Sequence, residues 1–367
     1  MTSNIPKHIF VADTIRNDIK SGKLVDKLPG ERVIAKELGI SYMTVRKAIE
    51  NLVSEGLLLK IANKGTYVNK HGKRKQTFNL GFFLDDQIKD SISSPYYSLV
   101  FEELERASIK HGYSLMFFSN VDELSPARLS SKVDGLVVSF FPRIEDKILD
   151  IKSYLPVVVI GNSSADKSIP SVILDNFNGI IAAMEHLFAL GHERIGFITG
   201  LLNSDIGRHR LNGYTSALSR RRLPCDETLI AQGDYSYEGG AAAAQKLLAL
   251  PDRPTAIVCA NDTMALGALK IANEQGLEVP EDLSLIGFDD ITVAAQVHPA
   301  LTTVAAPIKA LAEHAVDTLM SLIHGKMPRQ THIALPTTLI TRSSCAPASE
   351  TTAAEAFSGF VEPTDVR

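Results

Sequence analysis

Strand and helix signals alternate along residues 79–346, and no other feature of the sequence constrains the fold as strongly. Short apolar runs such as Gly135–Ser139 and Val157–Ile160 predict buried strands, and longer amphipathic stretches such as Ile180–Leu190 and Met264–Gln275 predict helices between strands. Strands joined by a tight turn pair antiparallel, whereas parallel strands need a longer crossover connection, usually a helix. Strands that alternate with helices are therefore expected to pair in parallel. We therefore predict an α/β domain whose parallel sheets carry helices on both faces.

Polar side chains follow several of these strands at their carboxyl ends, where parallel sheets bind their ligands. They are Asn162, Arg208, Arg210, Asn261 and Asp289. Amide, carboxylate and guanidinium groups make two hydrogen bonds at once, as a polyhydroxylated ligand requires. Together these residues predict a small-molecule site in a cleft.

Each of these residues also has a purely structural interpretation, since Asp and Asn after a strand commonly cap the next helix. Asp262, for example, is a candidate cap for a helix over residues 263–275. Asp289 and Asp290 resemble an acid–base pair, but no nucleophile, metal cluster or Gly-rich phosphate loop accompanies them in the sequence. We therefore predict no enzyme activity, no metal and no cofactor.

The first 69 residues follow a different pattern, in which three helices precede two short strands. The spacing of apolar residues predicts helices over His8–Lys20 and Glu31–Leu38, and Ser41 is a suitable cap for a third helix. The strands Leu57–Ile61 and Thr66–Val68 flank a turn and form a small wing. This order predicts a winged helix-turn-helix domain, mainly α-helical with a β wing.

One apolar face on each helix predicts the core of this small domain. The residues expected to point inward are Ile9, Ala12, Ile15 and Ile19 on the first helix, Val33, Ile34 and Leu38 on the second, and Val45, Ala48, Ile49 and Leu52 on the third. The opposite face of the third helix is polar and carries Tyr42, Thr44, Arg46 and Lys47.

The distribution of charge indicates that this small domain contacts nucleic acid. Residues 1–75 have a net charge of +8, whereas the remainder has −12. A helix that enters the major groove presents side chains to base edges, and Arg46 is suited to a bidentate contact with guanine. Arg32 on the second helix and Lys64 and Gly65 in the wing are further candidates. The structural alternative is a three-helix protein-interaction domain with a solvated basic face.

The stretch from Leu28 to Val68 resembles the DNA-binding domain of the GntR family. It contains the motifs LPGER, GISYMTVRKA, LVSEGLL and KGTYV, which together cover nearly the whole domain. The resemblance implies that Arg32, Thr44, Arg46 and Gly65, with Lys64 beside it, contact DNA. Many members of that family carry Arg where this chain has Tyr42, so a different base preference is expected at that position.

Residues 79–346 resemble the effector domain of the LacI/GalR family, a two-lobed fold of the type I periplasmic-binding-protein kind. The resemblance rests on HLFALGHERIGFITG, AIVCANDTMALGALKIANEQGLEVPEDLSLIGFDD and HPALTTVAAPIKALAEHAVDTLMSLIHGK. It implies that Arg210, Asn261 and Asp289 bind the effector, and that Ser94, Tyr96 and Tyr97 form the wall of the first lobe.

Three departures from that family pattern bear on the effector. The segment from Asn120 to Asp134 is short, so a helix of the first lobe is reduced or replaced. Gly161 stands at a position that often holds Asp, and Asn162 follows it. The chain has no Trp, so an aromatic platform must be Phe or Tyr, with Phe288, Tyr96 and Tyr97 as candidates.

The sequence thus predicts a multi-domain protein of four segments: a DNA-binding domain (residues 1–69), a basic linker (70–78), a two-lobed effector domain (79–346) and a disordered tail (347–367). Its longest apolar runs are too short to span a membrane, and residues 1–7 lack a signal-peptide pattern, which favours a cytoplasmic location. The three cysteines lack metal-ligand or disulfide spacing.

We expect a homodimeric repressor of carbohydrate-utilisation genes that binds double-stranded operator DNA and is released by a small sugar effector. Fusion of these two domain types resembles regulators of the arabinose-repressor kind, and the LacI/GalR hinge helix has no counterpart in a GntR-type head. Two alternatives remain open: a regulator that uses a purine or another metabolite as corepressor, and a solute-binding transport protein.

Overall fold

The structure is a computed structural model that describes residues 6–55, 57–61, 65–68, 76–85, 90–129, 131–139 and 144–348. The chain divides into two compact units with a boundary between Thr77 and Phe78. Residues 70–75 of the predicted linker and residues 349–367 of the predicted tail lie outside the described residues. The four-segment division therefore stays a prediction.

The first unit contains three helices and a two-stranded wing. The elements are α1 (Lys7–Lys20), α2 (Glu31–Leu38), α3 (Tyr42–Ser54), β1 (Leu58–Ile61) and β2 (Gly65–Val68). Ser41 caps α3, since its hydroxyl accepts a hydrogen bond from the Thr44 amide at 3.2 Å. The left-handed Gly39 ends α2, so the sharp turn between α2 and α3 follows from Gly39 and Ser41 together.

The core of the first unit is close to the sequence prediction, with two corrections. The buried residues include Val11, Ala12 and Ile15 from α1, Ile34 and Ala35 from α2, and Val45, Ala48, Ile49 and Leu52 from α3. Ile9 and Val33, expected to point inward, are 40% and 49% exposed. The buried face of α1 includes Val11 instead of Ile9. This short helix packs against α3 through one narrow face, and Ile9 lies outside that face.

The second unit contains two six-stranded sheets, which define a first and a second lobe. The first sheet has the order β13-β7-β6-β5-β3-β4, with β3 (Asn79–Leu84), β4 (Ser114–Phe118), β5 (Gly135–Ser139), β6 (Val157–Ile160), β7 (Ser171–Leu174) and β13 (His332–Leu335). The second has the order β14-β12-β11-β10-β8-β9, with β8 (Ile195–Thr199), β9 (Ile230–Gln232), β10 (Ala256–Cys259), β11 (Ser284–Asp289), β12 (Thr302–Ala305) and β14 (Thr338–Ile340). Every pairing in the two sheets is parallel except that of β12 with β14.

Helices cover these sheets, as the alternation predicts. They are α4 (Pro95–Lys110), α5 (Pro126–Leu129), α6 (Glu145–Lys152), α7 (Asn176–Ala189), α8 (Asp205–Arg220), α9 (Tyr237–Leu248), α10 (Asp262–Glu274) and α11 (Ile308–Ile323). The short segment from Asn120 to Asp134 holds a single 3₁₀ turn and the four-residue α5 among its described residues.

The chain crosses between the lobes three times. It passes from β7 into α7, which packs in the core of the second lobe, and from β12 into α11, which packs in the core of the first. The third crossing joins β13 to β14. The first and third crossings touch, because the Asp175 amide donates to the Leu335 carbonyl at 2.8 Å and the Thr337 hydroxyl donates to the Asp175 carbonyl at 3.2 Å.

Candidate effector site and DNA-contacting surface

A cavity of about 880 Å³, its opening included, lies where the carboxyl ends of the two sheets face each other. Its lining comes from both lobes, as is typical of small-molecule sites in parallel sheets. Seven of the eight predicted effector residues line it: Ser94, Tyr96, Tyr97, Asn162, Arg210, Asn261 and Asp289. The exception is Arg208.

Arg210 is the best-anchored side chain in the cavity. Its Nε donates to Asn176 Oδ1 at 2.8 Å, and Nη1 donates to the Ala260 carbonyl. Its guanidinium lies 3.6 Å from the centre of the Phe288 ring, and Nη2 is 3.5 Å from Asp289 Oδ1. Because Arg210 covers the face of Phe288, that ring is not available as the stacking platform that the sequence allowed. Arg210 is buried, and these contacts fix the orientation of its guanidinium.

Asp289 ends β11 and turns a buried carboxylate towards Arg210. Burial raises the pKa of Asp289 to about 7, while the Arg210 guanidinium acts in the opposite direction. Asp289 and Asp290 have φ values of 116° and 58°, conformations that cost free energy in residues other than glycine. The ion pair between Asp290 and Arg342, at 2.5 Å, helps to hold this bend.

Asn261, rather than Asp262, caps the helix that follows β10. Its Oδ1 accepts from the Met264 amide at 2.9 Å, and its Nδ2 donates to the Tyr235 carbonyl at 3.0 Å. Asp262 instead begins α10 and is fully buried, where it accepts from the Ile291 amide at 2.9 Å and from the Thr303 hydroxyl. Burial raises the pKa of Asp262 to about 8, and the nearby Asp289 carboxylate adds to the shift. The helix after β10 is thus capped by a polar side chain, as expected, but the cap is Asn261 and not Asp262.

The first lobe contributes an aromatic wall. Ser94 caps α4 by accepting from the Tyr97 amide at 3.3 Å, which places Tyr96 and Tyr97 in the first turn. The two rings meet edge to face with centroids 5.0 Å apart, and the Tyr97 hydroxyl lies 3.2 Å from that of Ser139. Burial raises the pKa of both phenols, so both stay protonated and offer hydroxyl groups to a ligand.

Asn162 and Arg208 have different positions with respect to the cavity. Asn162 is buried, lines the cavity, and accepts from the Asp205 amide at 3.0 Å. Arg208 lies on the exposed side of α8, where it pairs with Asp205 and donates to the Leu202 carbonyl at 3.1 Å. Residues two positions apart on a helix point about 200° apart, so Arg208 cannot face the cavity together with Arg210. The structure therefore places Arg208 outside the cavity lining, in contrast to the sequence expectation.

Sequence reasoning missed six polar residues of the lining: Asn176, Tyr235, Ser204, Asp90, Asp234 and Thr263. Asn176 follows β7, a strand that the sequence pattern did not reveal, and it orients Arg210. Tyr235 follows β9 in the motif GDYSY, and burial raises the pKa of its phenol. The signal that finds Asn176 is the polar residue at the end of an apolar run, SVILDN, in residues 171–176.

The exposed face of α3 forms the candidate DNA-contacting surface. A shallow groove there is lined by His8, Met43, Thr44, Arg46, Lys47 and Glu50. Arg32 is exposed on α2, and Gly65 begins β2 with a φ of 117° that favours glycine. Lys64 lies outside the described residues. The structure thus brings Thr44, Arg46 and Lys47 into one groove, while Tyr42 lies at the start of the same helix.

The framework around this surface is held by ion pairs. The Nη2 group of Arg16 in α1 donates to both carboxylate oxygens of Glu55 at the end of α3, at 2.8 and 2.7 Å. Lys60 of β1 pairs with Glu31 of α2 at 2.9 Å. These pairs therefore tie α1 to the end of α3, and the wing to α2.

Comparison with known proteins matches two parts of the chain. Residues 9–68 match the model described as "Bacterial regulatory proteins, gntR family", and residues 184–345 match "Periplasmic binding protein-like domain". The chain is 33% identical over 309 residues to the HTH-type transcriptional repressor CytR of Escherichia coli K12, covering 80% of this chain and 89% of CytR. A regulatory protein of the LacI family from Chloroflexus aggregans is 31% identical, with a TM-score of 0.64, over 74% of this chain and 99% of that one. The chain belongs to the LacI family.

This LacI-family protein carries a GntR-type helix-turn-helix domain and a two-sheet α/β effector domain, which confirms the predicted fold class and the resemblance. Like its relatives, it is a ligand-responsive transcriptional regulator and not an enzyme. A LacI-family regulator from Enterococcus faecium, solved with bound ribose, is 25% identical, with a TM-score of 0.65, over 74% of this chain and all of that one. Among the described residues, no helix combines the length and apolar character needed to cross a membrane.

Proposed function

We propose that this LacI-family regulator is a homodimeric repressor that releases its operator when a small sugar-type effector binds between its two lobes. The observation that carries the proposal is the convergence of Arg210, Asp289, Asn162 and Asn176 at the facing ends of two parallel sheets. These planar groups can each make paired hydrogen bonds with neighbouring hydroxyl groups of a ligand.

The polarity of the cavity lining favours a polyhydroxylated ring. Tyr96, Tyr97 and Tyr235 supply apolar faces, whereas the charged pair Arg210–Asp289 supplies directed hydrogen bonds. A sugar ring has apolar C–H faces and a polar rim of hydroxyl groups, so it needs both kinds of surface. The ribose found in the Enterococcus faecium relative supports this class of effector.

The three tyrosine rings also favour a second candidate, a nucleoside or another metabolite with a planar ring. Aromatic faces bind planar heterocycles by stacking, and a nucleoside presents a sugar in addition. In that case the effector acts as an inducer or as a corepressor, and the sign of its effect on DNA binding distinguishes the two.

Signal transfer requires that the effector bind the closed arrangement of the lobes more tightly than the open one. The three chain crossings permit such a motion, because a few backbone positions near Asp175, Ala306 and Pro336 connect two separately packed cores. The LacI-type hinge-helix mechanism does not apply to a GntR-type head. We propose that the basic linker, residues 70–78, carries the signal to it instead.

A surface on the second lobe supports dimerisation with a second copy of the chain. It consists of Tyr237, Leu266, Leu269, Lys270, Asn273, Glu274, Val293 and Val297. Lys270 and Glu274 lie one turn apart on α10, with their charged groups 3.4 Å apart. Across a two-fold axis through this patch, Lys270 of one copy can pair with Glu274 of the other. Dimerisation fits a two-fold operator, which helix-turn-helix proteins contact at two half-sites. Operator binding implies a cytoplasmic location.

The test combines ligand screening with DNA binding. The full-length protein is melted against ribose, other monosaccharides and nucleosides, since a ligand that binds only the folded state raises the melting temperature. Operator affinity is then measured with and without the ligand that gives the largest shift. Induction predicts weaker DNA binding with ligand, whereas stronger binding supports the corepressor candidate. A protein that selects no sequence from a duplex library, or that responds to no ligand in the panel, contradicts the proposal.

The variants Arg46→Ala and Asp289→Asn separate the two activities. Arg46→Ala is expected to abolish operator selection and leave the ligand-induced thermal shift intact, because Arg46 lies on the surface of the first unit. Asp289→Asn is expected to retain DNA binding and lose the response. Arg208→Ala is the matched control, because Arg208 lies on the same helix as Arg210 but faces solvent.

A further inference from the structure

Glu50 is an acidic residue on a surface that is otherwise suited to DNA. It lines the α3 groove together with His8, Met43 and Lys47, and its side chain is 56% exposed. The sequence assigns it no role, and the helix-capping and core positions of α3 are occupied by other residues. A carboxylate in this place repels phosphate, so it weakens binding unless it accepts a hydrogen bond from the DNA.

Glu50 also determines the position of Arg46. The Arg46 Nε donates to Glu50 Oε1 at 3.0 Å, one helical turn along α3. This bond draws the guanidinium towards Glu50, so the two charged groups lie side by side on the exposed face of α3. On the preceding turn, the Tyr42 hydroxyl is close enough to influence the pKa values of both Arg46 and Glu31.

We propose that Glu50 is a sequence-discriminating residue, which accepts a hydrogen bond from the N4 amino group of a cytosine beside the base that Arg46 contacts. This inference rests on the proposed function, in which the exposed face of α3 enters the major groove. Residues four apart on a helix are separated by about 6 Å along its axis, and base pairs by about 3.4 Å. The two side chains therefore reach neighbouring or next-but-one base pairs.

Cytosine is the base whose major-groove edge matches a carboxylate. It offers an amino donor and no acceptor of its own, whereas adenine places the N7 acceptor beside its amino group, and guanine and thymine offer acceptors only. A charged carboxylate is repelled by each of those acceptors. Glu50 thus favours one base through attraction and disfavours the other three, as well as non-specific DNA, through repulsion.

The experiment is selection from short duplexes with a randomised centre, using the full-length protein, followed by affinity measurements on the selected duplex and on a scrambled one. Wild type is expected to enrich a motif with a cytosine near the guanine assigned to Arg46. Glu50→Gln is expected to lose the cytosine preference by roughly tenfold, the usual effect of one base contact. It is also expected to bind the scrambled duplex several-fold more tightly, with a steeper salt dependence, because Arg46 becomes available to phosphate.

Glu37→Gln is the matched control, since it removes the same charge from an exposed position of α2 outside the α3 groove. It is expected to leave the motif and the scrambled affinity unchanged. An unchanged cytosine preference in Glu50→Gln, or an equal change in Glu37→Gln, overturns the inference. Arg46→Ala identifies the other failure: if it selects the same motif as wild type, the α3 surface does not contact the bases and the proposed function itself fails.

Discussion

Replacement of Arg210 by Met is the most informative perturbation of the effector site. Met has similar length and fills much of the same space, but it removes the charge and all the donors. Three acceptors then lose their partner: Asn176 Oδ1, the Ala260 carbonyl and the Asp289 carboxylate. All three lie in the buried lining or directly beneath it.

The size of the effect follows from what is left unpaired. Removing one member of a buried ion pair typically costs about 3–5 kcal/mol, because the remaining charge is not solvated. Asp289 limits this cost by taking up a proton, since its pKa is already raised to about 7 by burial. We therefore expect about 3 kcal/mol at pH 8, where the wild-type carboxylate is mostly charged, and less at pH 6. For a unit of this size, about 3 kcal/mol lowers the melting temperature by roughly 6–12 °C.

The assay is a double-mutant cycle with Asp289→Asn, measured by thermal or urea unfolding without effector. If the pair is coupled, the double variant is less destabilised than the sum of the single variants, by about 1–3 kcal/mol. The coupling is expected to shrink between pH 8 and pH 6 as Asp289 becomes protonated. Single-variant effects that add to within about 0.5 kcal/mol at pH 8 would refute the reasoning.

Three further predictions follow from the same contacts. Burial raises the pKa values of Asp289 and Asp262 to about 7 and 8, above the ordinary value of 3.8. Between these values the folded chain binds more protons than the unfolded chain, so the free energy of unfolding decreases as pH rises from about 4 to 8. Asp289→Asn should reduce this slope, by at most about 1.4 kcal/mol per pH unit, and an unchanged slope in pH-dependent melting would contradict the assignment. Arg208→Ala should leave the effector response within twofold of wild type in a binding titration, because its guanidinium faces solvent. Glu55→Gln should destabilise the first unit by about 1 kcal/mol, because the ion pair between Arg16 Nη2 and the Glu55 carboxylate is lost. An unchanged unfolding midpoint would show that this pair contributes nothing to stability.

Local sequence determined much of the architecture of this LacI-family regulator. The strands Ser114–Phe118, Gly135–Ser139, Val157–Ile160, Ile195–Thr199 and Ala256–Cys259 are set by continuous apolar runs, because a strand buried on both faces has no polar alternation. Caps are also local, since Ser41 and Ser94 act on amides three residues away. The rule that ligands bind at the carboxyl ends of parallel strands then located the cavity without any coordinates.

The roles of individual polar residues were decided by tertiary structure. Asn261 and Asp262 are adjacent in sequence, yet one caps a helix at the cavity and the other is buried against Thr303, a residue of another strand. Arg208 and Arg210 are equally plausible by position, and only the packing of α8 against the sheet decides which one turns inward.

The strands β7, β12, β13 and β14 were missed for a related reason. All four are short, and two of them pair with strands distant in sequence: β13 pairs with β7 some 160 residues away, and β14 lies antiparallel to β12. The β propensity of a short segment depends strongly on the neighbours it packs against, so such strands are easily overlooked along the sequence. The sequence alone determined that there are two domains and a cleft; the chain crossings that bring Arg210, Asn176 and Asp289 into one cluster exist only in three dimensions, because those contacts depend on pairing between distant segments.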